Sequence, residues 1–253
     1  MTWNPDLYLK FSDARQRPAL DLLARVSGES LRHIVDLGCG AGNITRLLLE
    51  RWPAARLIGV DSDAAMLGKA SEVPSTIDWQ RADIAVWQAP VSPDLIYSNA
   101  TLHWIDDHPR QFPRYIKQLS PGGVLAVQMP ANFAAPSHRL LRELAAEAPW
   151  CKKLGVARMG AILSADEYHT LLAPHCRTLD IWQTTYWQVL PGVDALVEWM
   201  KGTTLLPYLA LLEGPEADVF LSEYRIRMAE SYPMADDGTT LFPFQRLFMV
   251  AGR

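Results

Sequence analysis

The stretch that most restricts this chain is His33-Ile34-Val35-Asp36-Leu37, running into Gly38-Cys39-Gly40-Ala41-Gly42 and then into Asn43, Ile44, Leu47, Leu48 and Trp52. An apolar run, a glycine-rich turn and an amphipathic run read as strand, tight turn and helix. Glycine is needed in the turn because the chain swings through backbone angles, and allows a ligand approach, that a Cβ would block. The helix start presents N–H donors that have no partner inside the helix. Together these features point to a nucleotide-type ligand, although a Gly-x-Gly turn alone is weak evidence.

Spacing and charge narrow the ligand. The glycines fall at 38, 40 and 42, so Asn43 stands where the dinucleotide fingerprint G-x-G-x-x-G has its last glycine. Asp36 lies at the mouth of the turn, where an anion would repel a pyrophosphate. S-adenosylmethionine carries a sulfonium and an ammonium and no phosphate, so Coulomb attraction favours it there. Leu57-Ile58-Gly59-Val60-Asp61 reads as a second strand ending in an acid about 20 residues on, the position from which a carboxylate grips ribose hydroxyls.

From Leu31 to Gln128 strands and helices alternate, which predicts a parallel sheet covered by helices. Pro53 ends the first helix, Ser62 is placed to cap the second, and the third and fourth strands are Ile77 to Gln80 and Leu95 to Ser98. Pro121-Gly122-Gly123 turns the chain into a fifth strand, Val124 to Met129, stopped by Pro130. Beyond it Ser137 begins a helix, Ser164 and Glu167 form a capping box for another, and Thr178 to Val189 is a long strand with Phe244 to Val250 as its partner. The expected division is an N-terminal helical lid (1–30), a ligand-binding α/β core (31–130), a helical segment (131–177), late strands (178–189 and 244–253) and a helical insertion (190–243) covering the site. Pro18 splits the lid into two short helices, which either pack on the sheet edge or present Tyr8 and Phe11 to the ligand.

D-L-G-C-G-A-G followed by G-V-D-S resembles the first motif and partner acid of the class I S-adenosylmethionine-dependent methyltransferases. Arg81-Ala82-Asp83-Ile84, Asp94-Leu95-Ile96-Tyr97-Ser98-Asn99-Ala100 and Leu119-Ser120-Pro121-Gly122-Gly123 follow in the family's order. The resemblance implies a doubly wound, mostly parallel, seven-stranded Rossmann-like sheet with S-adenosylmethionine as cofactor. It assigns to that cofactor Asp36, Gly38, Cys39, Gly40 and Asn43 of the turn, Asp61, Ser62 and Met66 after the second strand, Asp83 at the adenine amino group, Ile84 on the adenine ring, and Asn99. Each has a plainer alternative: Asp61 as a helix cap, Asp83 as the start of a turn, Met66 as core filler.

W-N-P-x-x-Y near the start, S-N-A-T-L-H-W, V-Q-M-P-A-N-F, D-I-W-Q-T-T-Y and R-L-F-M-V-A resemble a branch of that family that esterifies small polycarboxylic acids. Such an acceptor is already deprotonated at neutral pH and needs no general base, so no catalytic acid or base is assigned. It needs cationic and hydrogen-bonding anchors, for which the candidates are Tyr8, Arg15, Trp104, His138, Arg142, Tyr186 and Arg246. Against this, Trp104 and Tyr186 suit a core, Arg142 suits an ion pair with Glu143 or Glu147, and His138 suits a helix surface. Arg246 interrupts an apolar strand and needs a partner, either substrate or an acid such as Asp180. His103, four residues after Asn99, is the candidate base for the rival reading, an O- or C-methyltransferase of another substrate class; a non-catalytic cofactor-binding protein is the third.

With 24 Lys and Arg against 28 Asp and Glu, the net charge of -4 gives no basic excess for nucleic acid. No apolar run has the length of a signal or membrane span, so the cytoplasm is the expected place. Cys39, Cys151 and Cys176 form no CxxC pair and read as reduced thiols, and His169, His175 and Cys176 match no zinc spacing. A monomer or weak homodimer acting on a small anionic molecule is expected.

Overall fold

The computed structural model describes residues 12–253 except Glu29, Val156 and Arg158, without the side chains of residues 12–15. Tyr8, Phe11 and the Arg15 side chain therefore lie outside the described residues. Seven strands, β1 (His33–Leu37), β2 (Arg56–Asp61), β3 (Asp78–Arg81), β4 (Leu95–Asn99), β5 (Val124–Pro130), β6 (Thr178–Leu190) and β7 (Thr240–Gly252), form one sheet in the order β3-β2-β1-β4-β5-β7-β6. β1 to β5 run parallel, and β7 is antiparallel to β5. Among the described residues the α-helices are α1 (Ser12–Arg25), α2 (Asn43–Arg51), α3 (Ala64–Ser71), α4 (His108–Gln118), α5 (Pro136–Ala146), α6 (Cys151–Leu154), α7 (Ala165–Leu172), α8 (Gly192–Lys201), α9 (Leu206–Leu209) and α10 (Gly214–Ser231). This is a mostly parallel α/β architecture, in which each parallel neighbour has to be reached by a crossover connection.

The chain divides into two compact units. The α/β unit comprises residues 16–130, 161–184 and 246–253 and holds the sheet apart from the far ends of β6 and β7. Its parallel strands β1 and β4 are buried almost throughout, as strands covered on both faces must be. The expected break at Pro18 does not occur: α1 runs straight through it. An interior proline costs about 3 kcal/mol. Burial of Ala19, Leu22, Leu23 and Val26 offsets this at about 1.5–3 kcal/mol per large side chain, and the Tyr97 hydroxyl donates to the Ala19 carbonyl at 2.6 Å. The cap of α3 is Asp63, which accepts from the N–H groups of Ala65 and Met66, whereas the sequence pointed to Ser62, one residue earlier. α7 belongs to this unit rather than to a separate helical segment, because Tyr168 meets His108 of α4 at 2.6 Å and packs its ring, tilted, against Phe112.

Among the described residues the helical unit comprises 131–160 and 185–245 together with 12–15. Its core is apolar and aromatic, built by Leu141 and Leu144 of α5, Leu196, Trp199 and Met200 of α8, and Phe220, Tyr224 and Met228 of α10. Trp150 meets Phe220 edge-on at 5.3 Å, and Arg227 pairs with Glu147 at 2.6 Å across the helices. Residues 240–243, expected in the helical insertion, instead begin β7. Among the described residues no helix is long and apolar enough to cross a membrane, and no cluster of three or more His, Cys, Asp or Glu is placed to hold a metal ion.

Candidate active site

The glycine turn is held from inside. Gly38 and Cys39 donate their N–H groups to the Val60 carbonyl at 2.7 and 3.1 Å, and Gly40 donates to Asp61 Oδ2 at 2.9 Å. With those donors engaged, the turn is a poor cradle for a pyrophosphate. The glycines serve different ends. A Cβ on Gly38 would fall 2.1 Å from the Thr101 side chain and one on Gly42 2.4 Å from the Trp79 indole, so these two are demanded by internal packing. Gly40, at φ +55°, would meet only the tip of Met66 at 3.5 Å, and it is the glycine whose bareness leaves room for a ligand.

Asp36 is not a bare carboxylate at the mouth of this turn. It is buried, accepts from the Thr45 hydroxyl at 2.7 Å, and burial pushes its pKa up to about 7, with the Asp61 charge adding to the rise and the Thr45 bond opposing it. A cation bound at the strand ends would draw that pKa back down. Cys39 is also buried, its thiol held far above the ordinary range by burial and by Asp36 and Asp61.

Strand register aligns the polar residues. Asp36 pairs with Gly59 and Tyr97, Asn99 pairs with Gln128, and Pro130 pairs with Arg246. Residues paired across strands, and residues two apart along one strand, share a face. Asp61, Asp36, Asn99 and Arg246 therefore stand on one face near the carboxyl ends of β2, β1 and β4 and at the matching end of the antiparallel β7. Charge changes along that row, from two carboxyl groups through an amide to a guanidinium. Carboxyl ends of parallel strands are where open α/β sheets bind ligands. The turn after Asn99 is strained: Ala100 has φ 53°, its N–H donates to the Gln128 carbonyl, and Thr101 donates to Gly38 or Asn99.

The remaining cofactor candidates fall around this end of the sheet. Asp61 accepts from Gly40 and Asp63 and so ties the turn to the start of α3; it does not cap that helix. Met66 is half-buried beside Gly40, while the helix fills the core with Leu67 and Ala70 instead. Asp83 is exposed and accepts from the Ala85 N–H at 2.9 Å, a turn that presents the buried Ile84. Asn43 and Ser62 are exposed, the latter accepting from Arg81 through its carbonyl.

Of the acceptor candidates, Arg246 and Trp104 belong to the α/β unit, Arg246 being 6% exposed and Trp104 an exposed ring against His103 at 4.8 Å. Asp180 is not the acid for Arg246: it pairs with Arg25 at 3.8 Å. His138, Arg142 and Tyr186 belong to the helical unit. There His138 is buried rather than on a helix surface, 3.1 Å from Ser137 Oγ and 3.3 Å from Thr204 Oγ1, and burial next to Arg142 lowers its pKa to about 4. Arg142 donates to the Phe133 carbonyl at 2.8 Å, while Glu143 and Glu147 are taken by Arg139 and Arg227. Tyr186 is buried. Two residues that hold candidate site residues in place carry no motif of their own in the sequence. Thr45 holds Asp36, and Arg114 holds the Ile84 and Trp87 carbonyls at 2.7 and 2.6 Å. A polar residue on the inward side of an amphipathic helix was the signal in each case.

Residues 11–173 match the family model described as methyltransferase domain. Over its full length the chain is 50% identical to trans-aconitate 2-methyltransferase of Azoarcus sp. (strain BH72), covering 100% of this chain and 99% of that one. It is 46% identical to the enzyme of the same name from Yersinia pestis (strain Pestoides F), covering 98% and 97%. The fold is shared with an S-adenosylmethionine-dependent methyltransferase from Mesorhizobium loti, at a TM-score of 0.55 and 22% identity over 96% of this chain and 100% of that one. The chain thus belongs to the S-adenosylmethionine-dependent methyltransferases and, among them, to the family of the trans-aconitate 2-methyltransferases.

Proposed function

We propose that this enzyme transfers the methyl group of S-adenosylmethionine to a carboxylate oxygen of a small polycarboxylic acid, with trans-aconitate as the acceptor. The carboxylate oxygen attacks the methyl carbon, the carbon–sulfur bond breaks, and its electron pair returns to sulfur, leaving S-adenosylhomocysteine and a methyl ester. No proton has to move, because the acceptor is ionised at neutral pH. The enzyme's work is alignment and the exclusion of water. The observation that carries the acceptor class is the buried guanidinium of Arg246, on the sheet face that Asp36 and Asp61 share. Acids at one end of the row suit a cationic cofactor, and a cation at the other end suits an anionic acceptor.

The test is incubation with methyl-labelled S-adenosylmethionine and a panel of di- and tricarboxylates. Base-labile label in trans-aconitate is the expected result. Label recovered in an alcohol or amine acceptor instead would transfer the argument to His103 as a base.

A further inference from the structure

Gln128 is an uneconomical residue for its place. It lies on β5 between Val127 and Met129, it is fully buried, and neither its amide oxygen nor its amide nitrogen has a hydrogen-bond partner. Directly opposite on β4, Asn99 has its own side-chain oxygen buried and without a partner. An unpaired carboxamide in the interior is destabilising, and an apolar side chain of the same volume would make a better core.

The register says what such a group could meet. Gln128 pairs with Asn99 on one side and with Phe248 on the other, and Arg246 lies two residues from Phe248, opposite Pro130. Gln128 and Arg246 are thus diagonal neighbours on one face, roughly 7–8 Å apart. The glycine turn follows β1, and β5 is two strands further along the sheet, which at about 4.8 Å per strand places Gln128 on the acceptor side of Asn99. A primary amide offers two N–H donors. A carboxylate only accepts. A neutral donor next to the reacting centre also avoids placing a second positive charge against the sulfonium, which another arginine or lysine would do.

From this we infer that Gln128 donates through its amide N–H to a carboxylate of the acceptor, beside the guanidinium of Arg246, and so selects carboxylates. The inference rests on the carboxylate acceptor proposed above. The test uses the full-length protein with Gln128→Met, and with Gln128→Leu beside it in case the longer side chain does not fit. Turnover of trans-aconitate, affinity for S-adenosylhomocysteine and melting temperature are measured for each. The expected result is a tenfold to hundredfold fall in kcat/KM for the acceptor, cofactor affinity within twofold of wild type, and a melting temperature equal to or above it. Unchanged kcat/KM in a folded variant overturns the role of Gln128, and so does a loss of cofactor affinity, which would assign the amide to the cofactor. A wild-type enzyme that methylates no polycarboxylate overturns the acceptor reading itself, an outcome distinct from active wild type with unaffected variants.

Discussion

One ionisable group of the α/β unit and one of the helical unit are buried with opposite consequences. In the first, Asp36 is an acid held partly in its neutral form by burial, its pKa pushed up to about 7. In the second, His138 is a base held neutral by burial, its pKa lowered to about 4, with Asn132, Ser137 and Thr204 around its ring. Both are buried without a charged partner of opposite sign in bonding contact, so each pays for its place by neutralising. The difference lies in what a ligand could add. A cation bound at the strand ends would restore the charge of Asp36, whereas His138 already has polar neighbours at both ring nitrogens.

The largest effect is expected from the end of the row opposite Asp36. Arg246→Met removes the guanidinium and keeps much of its bulk. On the proposed function it lowers kcat/KM for the polycarboxylate by roughly tenfold to a thousandfold, through the loss of one or two charged hydrogen bonds. Calorimetry should then give a wild-type affinity for S-adenosylhomocysteine. If affinity and melting temperature fall together with activity, the arginine is structural and the charge gradient along the face has no bearing on the acceptor.

Asp36 supplies the next test. Its folded pKa lies above the ordinary value of 3.8, so the native state holds a proton that the unfolded chain has released. Stability is therefore highest below pH 4 on account of this group and is lost as pH rises toward 7. Asp36→Asn keeps an acceptor for Thr45 and cannot ionise. Relative to wild type it should gain about 2–4 kcal/mol in urea unfolding between pH 4 and pH 8. Parallel pH profiles for the two proteins would show that the carboxyl group titrates normally.

The two units were also unequally legible in the sequence. Apolar runs and glycine turns placed β1, β2, β4 and β5 nearly to the residue, because a strand buried on both faces has few sequence alternatives. What they could not reveal was where side chains end. Asp36 reads as an acid beside a turn, and only the register with Gly59 and Tyr97 and the inward Thr45 show it to be buried. Pro18 reads as a helix break because the penalty for a helix proline is local, whereas the burial that offsets it is tertiary. In the helical unit, periodicity gives helices but not partners, so Arg142 reads as a partner for neighbouring acids that Arg139 and Arg227 occupy. The same gap hid Gln128, a single polar letter in an apolar strand whose lack of a partner is visible only in three dimensions.

His138 tests the helical side of the comparison with the opposite sign. Its folded pKa is below the ordinary value of 6.5, so its contribution is present above that value and is lost as pH falls toward 4. Between pH 7 and pH 4.5 wild type should lose about 2–3 kcal/mol more than His138→Gln, measured by urea unfolding. Hydrogen exchange locates the loss. Protection should fall first in α5, α8 and α10; a fall confined to the sheet would break the assignment of acid sensitivity to this cluster.

The smallest expected effect is the most discriminating for the cofactor site. Asp61 is half-buried, and its carboxylate already accepts from the N–H groups of Gly40 and Asp63, both at 2.9 Å. The staple holding the turn is thus one role of this carboxylate, and accepting from ribose hydroxyls would be a second. Asp61→Asn separates them, since its amide oxygen can still accept from one backbone N–H while the charge is gone. If the carboxylate grips the ribose, affinity for S-adenosylhomocysteine should fall by about 1–3 kcal/mol, the scale of a lost charge-assisted hydrogen bond. The melting temperature of the ligand-free protein should change little, because one backbone bond is retained and the site is partly solvated. Asp61→Ala, which removes both roles, should lose more affinity than Asp61→Asn and also lower the melting temperature. Equal affinity in wild type and Asp61→Asn, with a loss only in Asp61→Ala, would make Asp61 a staple for the turn and move the ribose contact elsewhere.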